Sequence, residues 1–153
     1  MTTSIEERNK QVVRDYFEKY WNHKDLDGAA ELIKDDYNWH LEGGMEKGLE
    51  GWRKGVAAYF EVWPDCHWEV RQIVAEGDLV CVRCVWTGTH SGEWMGVPAS
   101  GKKIKVANVD VYRLEDGKFA EHWDVMDAMS IFKQIGGTDV DAVDVMYAAS
   151  IEE

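Results

Sequence analysis

A chain of 153 residues, 45% apolar and with 8 tryptophans, is long enough to bury one proper core and too hydrophobic to be disordered. Its formal charge of −12 argues against nucleic acid, which needs clusters of Lys and Arg, and equally against docking on anionic membranes. The N-terminal stretch MTTSIEERNK is polar, and no run is apolar for long enough to span a bilayer, so a cytoplasmic protein is expected.

With only 2 prolines, no linker-like block and no internal repeat, residues 1–153 read as one domain. Its end, residues 138–153, reads as an acidic tail that packs weakly. The 3 cysteines form no disulfide framework. Cys81 and Cys84 spell C-x-x-C, but residues three apart on a strand point to opposite faces and should neither pair nor chelate.

In chain order, Ser4–Trp21 is a predicted helix. Ser4 and Glu7 have capping-box spacing, and Ile5, Val12, Val13, Tyr16, Phe17 and Tyr20 recur at helical intervals. A second helix is expected from Asp25 through Leu26, Ala29, Ala30, Leu32 and Ile33. Tyr37–Leu41 reads as a short strand before a Gly43-Gly44 turn, and Leu49–Val62 as a third helix closed by Trp63-Pro64.

From Cys66 the period changes to two. His67–Ala75, Leu79–Thr89, Ile104–Leu114 and Phe119–Met126 are predicted strands. Between them, Ser91–Lys102 is a longer connection, apolar enough at Trp94, Met95 and Val97 to cover a cavity. Ala128–Ile135 is a short predicted helix with Gly136 just past its end. Helices first and antiparallel strands afterwards make an α+β arrangement, a curved sheet wrapped on a helix with a pocket inside.

The hairpin Lys105–Asp127 carries the chemistry, and its turn decides which side chains share a face. A two-residue type I′ turn at Asp116-Gly117, slightly favoured by that dipeptide, would pair Asp110 with Trp123 and point it away from Asp124. A type I turn at Glu115-Asp116 with Gly117 as a bulge would put Asp110 opposite His122 and diagonal to Asp124. Asn108, Asp110, Tyr112, His122 and Asp124 would then share one face. Two carboxylates and an imidazole are costly in a core, so that face reads as a pocket floor.

The run Trp63-Pro64-Asp65, Ala75-Glu76-Gly77-Asp78, Thr87-Gly88-Thr89-His90-Ser91-Gly92-Glu93, Gly96-Val97-Pro98, Gly101-Lys102, Tyr112-Arg113-Leu114-Glu115-Asp116-Gly117-Lys118 and Glu121-His122-Trp123-Asp124 resembles the SnoaL-like polyketide cyclases of the NTF2-like superfamily. The resemblance spans roughly Glu6 to Gly136 and selects the second register. It implies a cone-shaped fold and an intramolecular aldol ring closure in a hydrophobic, polyketide-like molecule, with no metal or organic cofactor. The family's acid/base aspartate matches Asp124, and its helix-1 pocket tyrosine matches Tyr20. Two positions depart from the pattern: Asp110 replaces a histidine facing that aspartate, and Gly55 replaces a helix-3 asparagine. The cone also hosts isomerases, dehydratases, epoxide hydrolases and binding or dimerisation modules, and these stay open as alternatives.

The residues support acid/base chemistry in their own right. Proton abstraction between two carbonyls needs a poised base, and the attacked carbonyl needs a donor. Asp124, Asp110 and His122 are the candidate catalytic residues; Asn108, Tyr112, Trp94, His90, Gly55 and Tyr20 are candidate ligand contacts. Each also has a plainer reading: Asp124 satisfied by backbone or Arg83, Asp110 a structural partner of His122, the tryptophans core. A metal set of His122, Asp110 and His90 is not expected, since nothing in the sequence fixes their distances. On the reverse face Ala107, Val109, Val111, Phe119, Trp123 and Val125 form an apolar stripe, which a homodimer built sheet to sheet would cover.

Overall fold

The computed structural model describes residues 4–40 and 46–136. The expected Gly43-Gly44 turn, the end of the Tyr37–Leu41 strand and the acidic tail lie outside these residues. Helix α1, Ile5–Asp15, begins as its cap demands, with the Ser4 hydroxyl accepting from the Glu7 amide at 3.2 Å. It then widens into a π-helical segment, Tyr16–Trp21, closed by Asn22 N donating to Phe17 O at 3.0 Å. A wider turn brings residues five apart onto one face, where an α-helix aligns residues four apart. Tyr16, Phe17 and Trp21 are therefore all buried, while Tyr20 swings aside.

Helix α2 is shorter than expected, Leu26–Ala30, capped by Asp25 Oδ1 accepting from Gly28 N at 2.9 Å. Ile33, expected in that helix, instead opens strand β1, Ile33–Trp39. This β-branched residue is buried at 3% exposure and pairs with Phe119, so sheet packing outweighs the weak helical pattern. Helix α3, Gly48–Val62, ends at Trp63 before Pro64. Strands β2 (His67–Glu76), β3 (Leu79–Thr89), β4 (Lys103–Glu115) and β5 (Lys118–Met126) follow, then helix α4 (Ala128–Ile135), closed by Gly136 at φ 89°.

The sheet runs β1-β5-β4-β3-β2 and does not close on itself. Neighbours are antiparallel except β1, which lies parallel to β5. α1 packs on β2 and β3 and α3 on β1, leaving a core of large side chains such as Trp52, Trp86 and Phe119.

The β4–β5 hairpin combines parts of both expected registers. Asp116 (φ 49°) and Gly117 (φ 77°) are both left-handed, so the turn is the two-residue I′ type, not a type I turn with a Gly117 bulge. The bulge lies further along: Leu114 pairs with Phe119, but Arg113 pairs with Glu121, leaving Ala120 as the extra residue. That one-residue slip returns Asp110 and Asp124 to a common face, now as direct partners, with Tyr112 opposite His122. It also corrects the reverse-face stripe. Phe119 precedes the bulge and lies in the core at 0% exposure, whereas Trp123 and Val125 face outward.

Candidate active site

Between the sheet and the helices lies a cavity of about 320 Å³. Its wall on one side is polar: Asn108, Asp110 and Tyr112 alternate along β4, and His122 and Asp124 along β5. Strand β1 adds Tyr37 and Trp39, whose period of two aims both rings at this group. The rest is aromatic, supplied by Tyr16, Phe17 and Trp21, by Tyr59 of α3, by Trp68 of β2 and by Trp94 of the Ser91–Lys102 connection. That connection folds back through a Trp94–Val97 bridge around Met95 (φ 47°) and Gly96 (φ 84°), and packs Trp94 on Phe132 with ring centroids 4.7 Å apart.

The two aspartates differ in their surroundings. Asp110 is buried and fully engaged: Oδ1 meets His122 Nε2 at 2.8 Å, and Oδ2 accepts from Asn108 Nδ2 at 2.8 Å. His122 continues the chain through Nδ1, 3.2 Å from the Tyr37 hydroxyl. Its ring is sandwiched between Trp39 (4.8 Å, 29°) and Tyr112 (4.4 Å, 23°). Asp124 is only partly buried. Oδ1 accepts the Trp39 indole N–H at 2.7 Å, and Oδ2 has no hydrogen-bond partner among the described residues. One aspartate thus holds an imidazole, and the other lines the cavity with an indole on one of its oxygens.

Burial pushes the phenols of Tyr37 and Tyr112 well above their ordinary range, and that of Tyr16 upward as well. All three are therefore neutral at pH 7 and able to donate. The Tyr16 oxygen itself accepts the Trp52 indole N–H at 2.8 Å.

Of the residues singled out in the sequence, Asp110, Asp124, His122, Asn108, Tyr112, Trp94 and Gly55 all line the cavity. Tyr20 and His90 do not. The π-helical segment puts Trp21 on the face where an α-helix would carry Tyr20, so Tyr16, Phe17 and Trp21 line the cavity and Tyr20 packs over Gly28 instead. His90 is buried beside Trp63, with Nδ1 bonded to the Ser100 amide at 3.2 Å and hydroxyl at 3.0 Å. It is thus a structural anchor for the connection, and the three-residue metal set is not assembled. Arg83 Nε donates to Gln72, away from Asp124. Tyr37 and Trp39 were missed. Their signal was the alternation Tyr37-Asn38-Trp39, legible only once β1 is placed beside β5.

Residues 11–135 match the family model described as SnoaL-like polyketide cyclase. The chain belongs to this family. Its α+β fold is the NTF2-like one of the SnoaL-like cyclases. It is 28% identical over 146 residues to aklanonic acid methyl ester cyclase DnrD of Streptomyces peucetius, covering 89% of this chain and 92% of that protein. It is also 28% identical over 129 residues to aklanonic acid methyl ester cyclase DauD of Streptomyces sp. strain C5, covering 82% of this chain and 80% of that one. Among solved structures, IdmH of Streptomyces antibioticus is similar at 33% identity and a TM-score of 0.73, over 84% of this chain and 98% of that one. TsrD of Streptomyces laurentii is similar at 27% identity and a TM-score of 0.78, over 90% of this chain and 100% of that one. Among the described residues, no helix is long and apolar enough to cross a membrane.

Proposed function

We propose that this SnoaL-like protein closes a ring in a hydrophobic polyketide-like molecule by an intramolecular aldol reaction, with Asp124 as the acid/base. The observation that supports this reading most is the Asp124 side chain lining an aromatic-rich cavity, with its Oδ1 steadied by the Trp39 indole. Abstraction of a proton from carbon between two carbonyls makes an enolate, whose carbon attacks a second carbonyl of the same folded chain. Holding both ends in one cavity supplies much of the rate, because the reacting atoms need not find each other. The volume of about 320 Å³ and the aromatic lining favour a flat, multi-ring substrate over a small polar one.

Ring closure leaves mass unchanged. The test is incubation with aklanonic acid methyl ester and a panel of β-polyketones, followed by chromatography for a product of the same mass and new retention time. Asp124→Asn, nearly isosteric, should keep the fold by circular dichroism and lose about 10²–10⁴-fold in rate. Absence of any isomer from every β-polyketone, at enzyme concentrations equal to substrate, overturns the reading.

A further inference from the structure

A base at Asp124 leaves the other half of the reaction unassigned, since the attacked carbonyl turns into an alkoxide that needs a proton. Resting on the aldol reading, we infer that Tyr37 donates this proton and that His122, held by Asp110, resupplies it. Among the described residues, Tyr37 is the cavity phenol bonded to a titratable side chain, His122 Nδ1 at 3.2 Å. The phenol oxygen of Tyr16 instead accepts from the Trp52 indole, a group that does not release its proton.

The imidazole is built to work in one orientation. Asp110 takes Nε2 at 2.8 Å, Asn108 fixes the other oxygen of Asp110, and the rings of Trp39 and Tyr112 cover both faces. Nδ1 is left facing Tyr37. In the imidazolium form Nε2–H donates to Asp110 and Nδ1–H donates to the Tyr37 oxygen, which turns the phenolic proton toward the cavity. Asp110 offsets the charge that this form carries, both side chains being buried. Other titratable groups around the phenol are Tyr16 and Asp124, and burial keeps Tyr37 protonated until a stronger base arrives.

The protons balance. Asp124 takes one from carbon, and the new carbon–carbon bond sends the carbonyl π-electrons onto oxygen. That alkoxide takes the Tyr37 proton, and Tyr37 takes the Nδ1 proton of His122. Asp124 then holds one extra proton and His122 lacks one. Transfer from the first to the second, through water that enters as product leaves, restores the starting state. Tyr37 is the second catalytic residue in this scheme, beside Asp124, and His122 and Asp110 act through Tyr37 as positioning residues.

The test needs no natural substrate. In an Asp124→Asn background, where the amide stands for the protonated acid, 2-naphthol is bound and its ionisation followed by ultraviolet absorbance across pH. The donor pair should stabilise naphtholate, so bound naphthol should ionise at lower pH than free naphthol. Tyr37→Phe, which preserves the ring, should weaken naphtholate binding by roughly 10–100-fold and leave neutral naphthol almost unaffected, as expected for a hydrogen bond to a charged group. His122→Gln should reduce the shift while leaving the Tyr37 ring in place, and serves if Tyr37→Phe fails to fold. An unchanged shift in folded Tyr37→Phe, or bound naphthol ionising no more easily than free, overturns the donor assignment. The two readings fail separately. A Tyr37-dependent naphtholate preference in a protein that cyclises nothing leaves the donor standing without the cyclase. Turnover unaffected by Tyr37→Phe does the reverse.

Discussion

Trp39 and Asp124 lie 85 residues apart in the chain, yet the indole N–H of one meets the carboxylate of the other at 2.7 Å. The same indole ring stacks on His122, so one side chain from β1 touches two of the polar residues that β5 brings to the cavity. Trp39→Phe keeps a ring for stacking and deletes the donor. Freed at Oδ1, Asp124 can rotate out of line with the substrate, and kcat should fall roughly 10–100-fold with little change in KM. Steady-state kinetics on the ring-closing reaction decide it, and equal loss in KM would assign Trp39 to binding.

The π-helical segment makes a contrast between two tyrosines. Tyr20→Phe should leave ring closure unchanged, because Tyr20 lies outside the cavity. Tyr16→Phe should destabilise the fold by about 1–3 kcal/mol, because it strands the buried Trp52 indole N–H that the hydroxyl accepts. Urea unfolding of the two variants side by side provides the comparison.

Tyr20 has a packing role of its own. A Cβ on Gly28 would come within 2.6 Å of the Tyr20 ring and 2.5 Å of Asp25 Oδ2. Gly28→Ala should therefore cost about 1–3 kcal/mol, the usual range for overpacking, and the double variant Gly28→Ala with Tyr20→Ala should recover part of it. Additive losses in denaturant melts would contradict the contact.

Glu115 at the hairpin end bonds Arg113 and Lys34, and those cations hold its carboxyl at about 2, below the ordinary carboxylate range. A depressed pKa in the folded state means the stabilisation is complete above the unfolded value and is lost as pH falls toward the folded one. Glu115→Gln should lower the Tm by a few degrees at pH 7, with the difference shrinking between about 4.5 and about 2. Thermal melts across that window show it, and a pH-independent difference would contradict the linkage.

The outward face of β4 and β5 exposes Val109, Trp123 and Val125, the last at 75%. A sheet-to-sheet homodimer would remove this surface from water. Sedimentation at micromolar concentration should give twice the chain mass, and Val125→Glu should return it to one chain. A wild-type monomer contradicts the arrangement.

Element types were legible where pattern and punctuation agreed: the Ser4 cap, the Trp63-Pro64 stop, the period-two strands and Gly136. The pocket floor was legible too, since alternation along β4 and β5 places Asp110, His122 and Asp124 once the hairpin's parity is right. What escaped were features without a local cause. The Ala120 bulge sits between ordinary strand residues, and the turn dipeptide Asp116-Gly117 alone points to the other parity. The π-helical turn shifts a helix's facing by one residue without a proline or glycine to announce it, which put Trp21 in the pocket wall in place of Tyr20. Tyr37 and Trp39 became site residues only through parallel pairing of β1 with β5, a relationship between distant segments that short-range pattern does not carry.

That parallel edge has a kinetic consequence. β2 to β5 form a meander whose strands follow one another, joined by two tight turns and one connection of intermediate length, so each can zip onto its neighbour without a distant partner. β1 must wait for β5, across an intervening loop of some 80 residues that includes α3 and three strands, and closing so long a loop is slow. Until that docking occurs, Asp124 lacks its indole and His122 its phenol. A chain stalled before this step would carry most of its secondary structure and every acidic residue, yet be catalytically inert, so recovery of activity after dilution from urea should lag behind recovery of the circular dichroism signal.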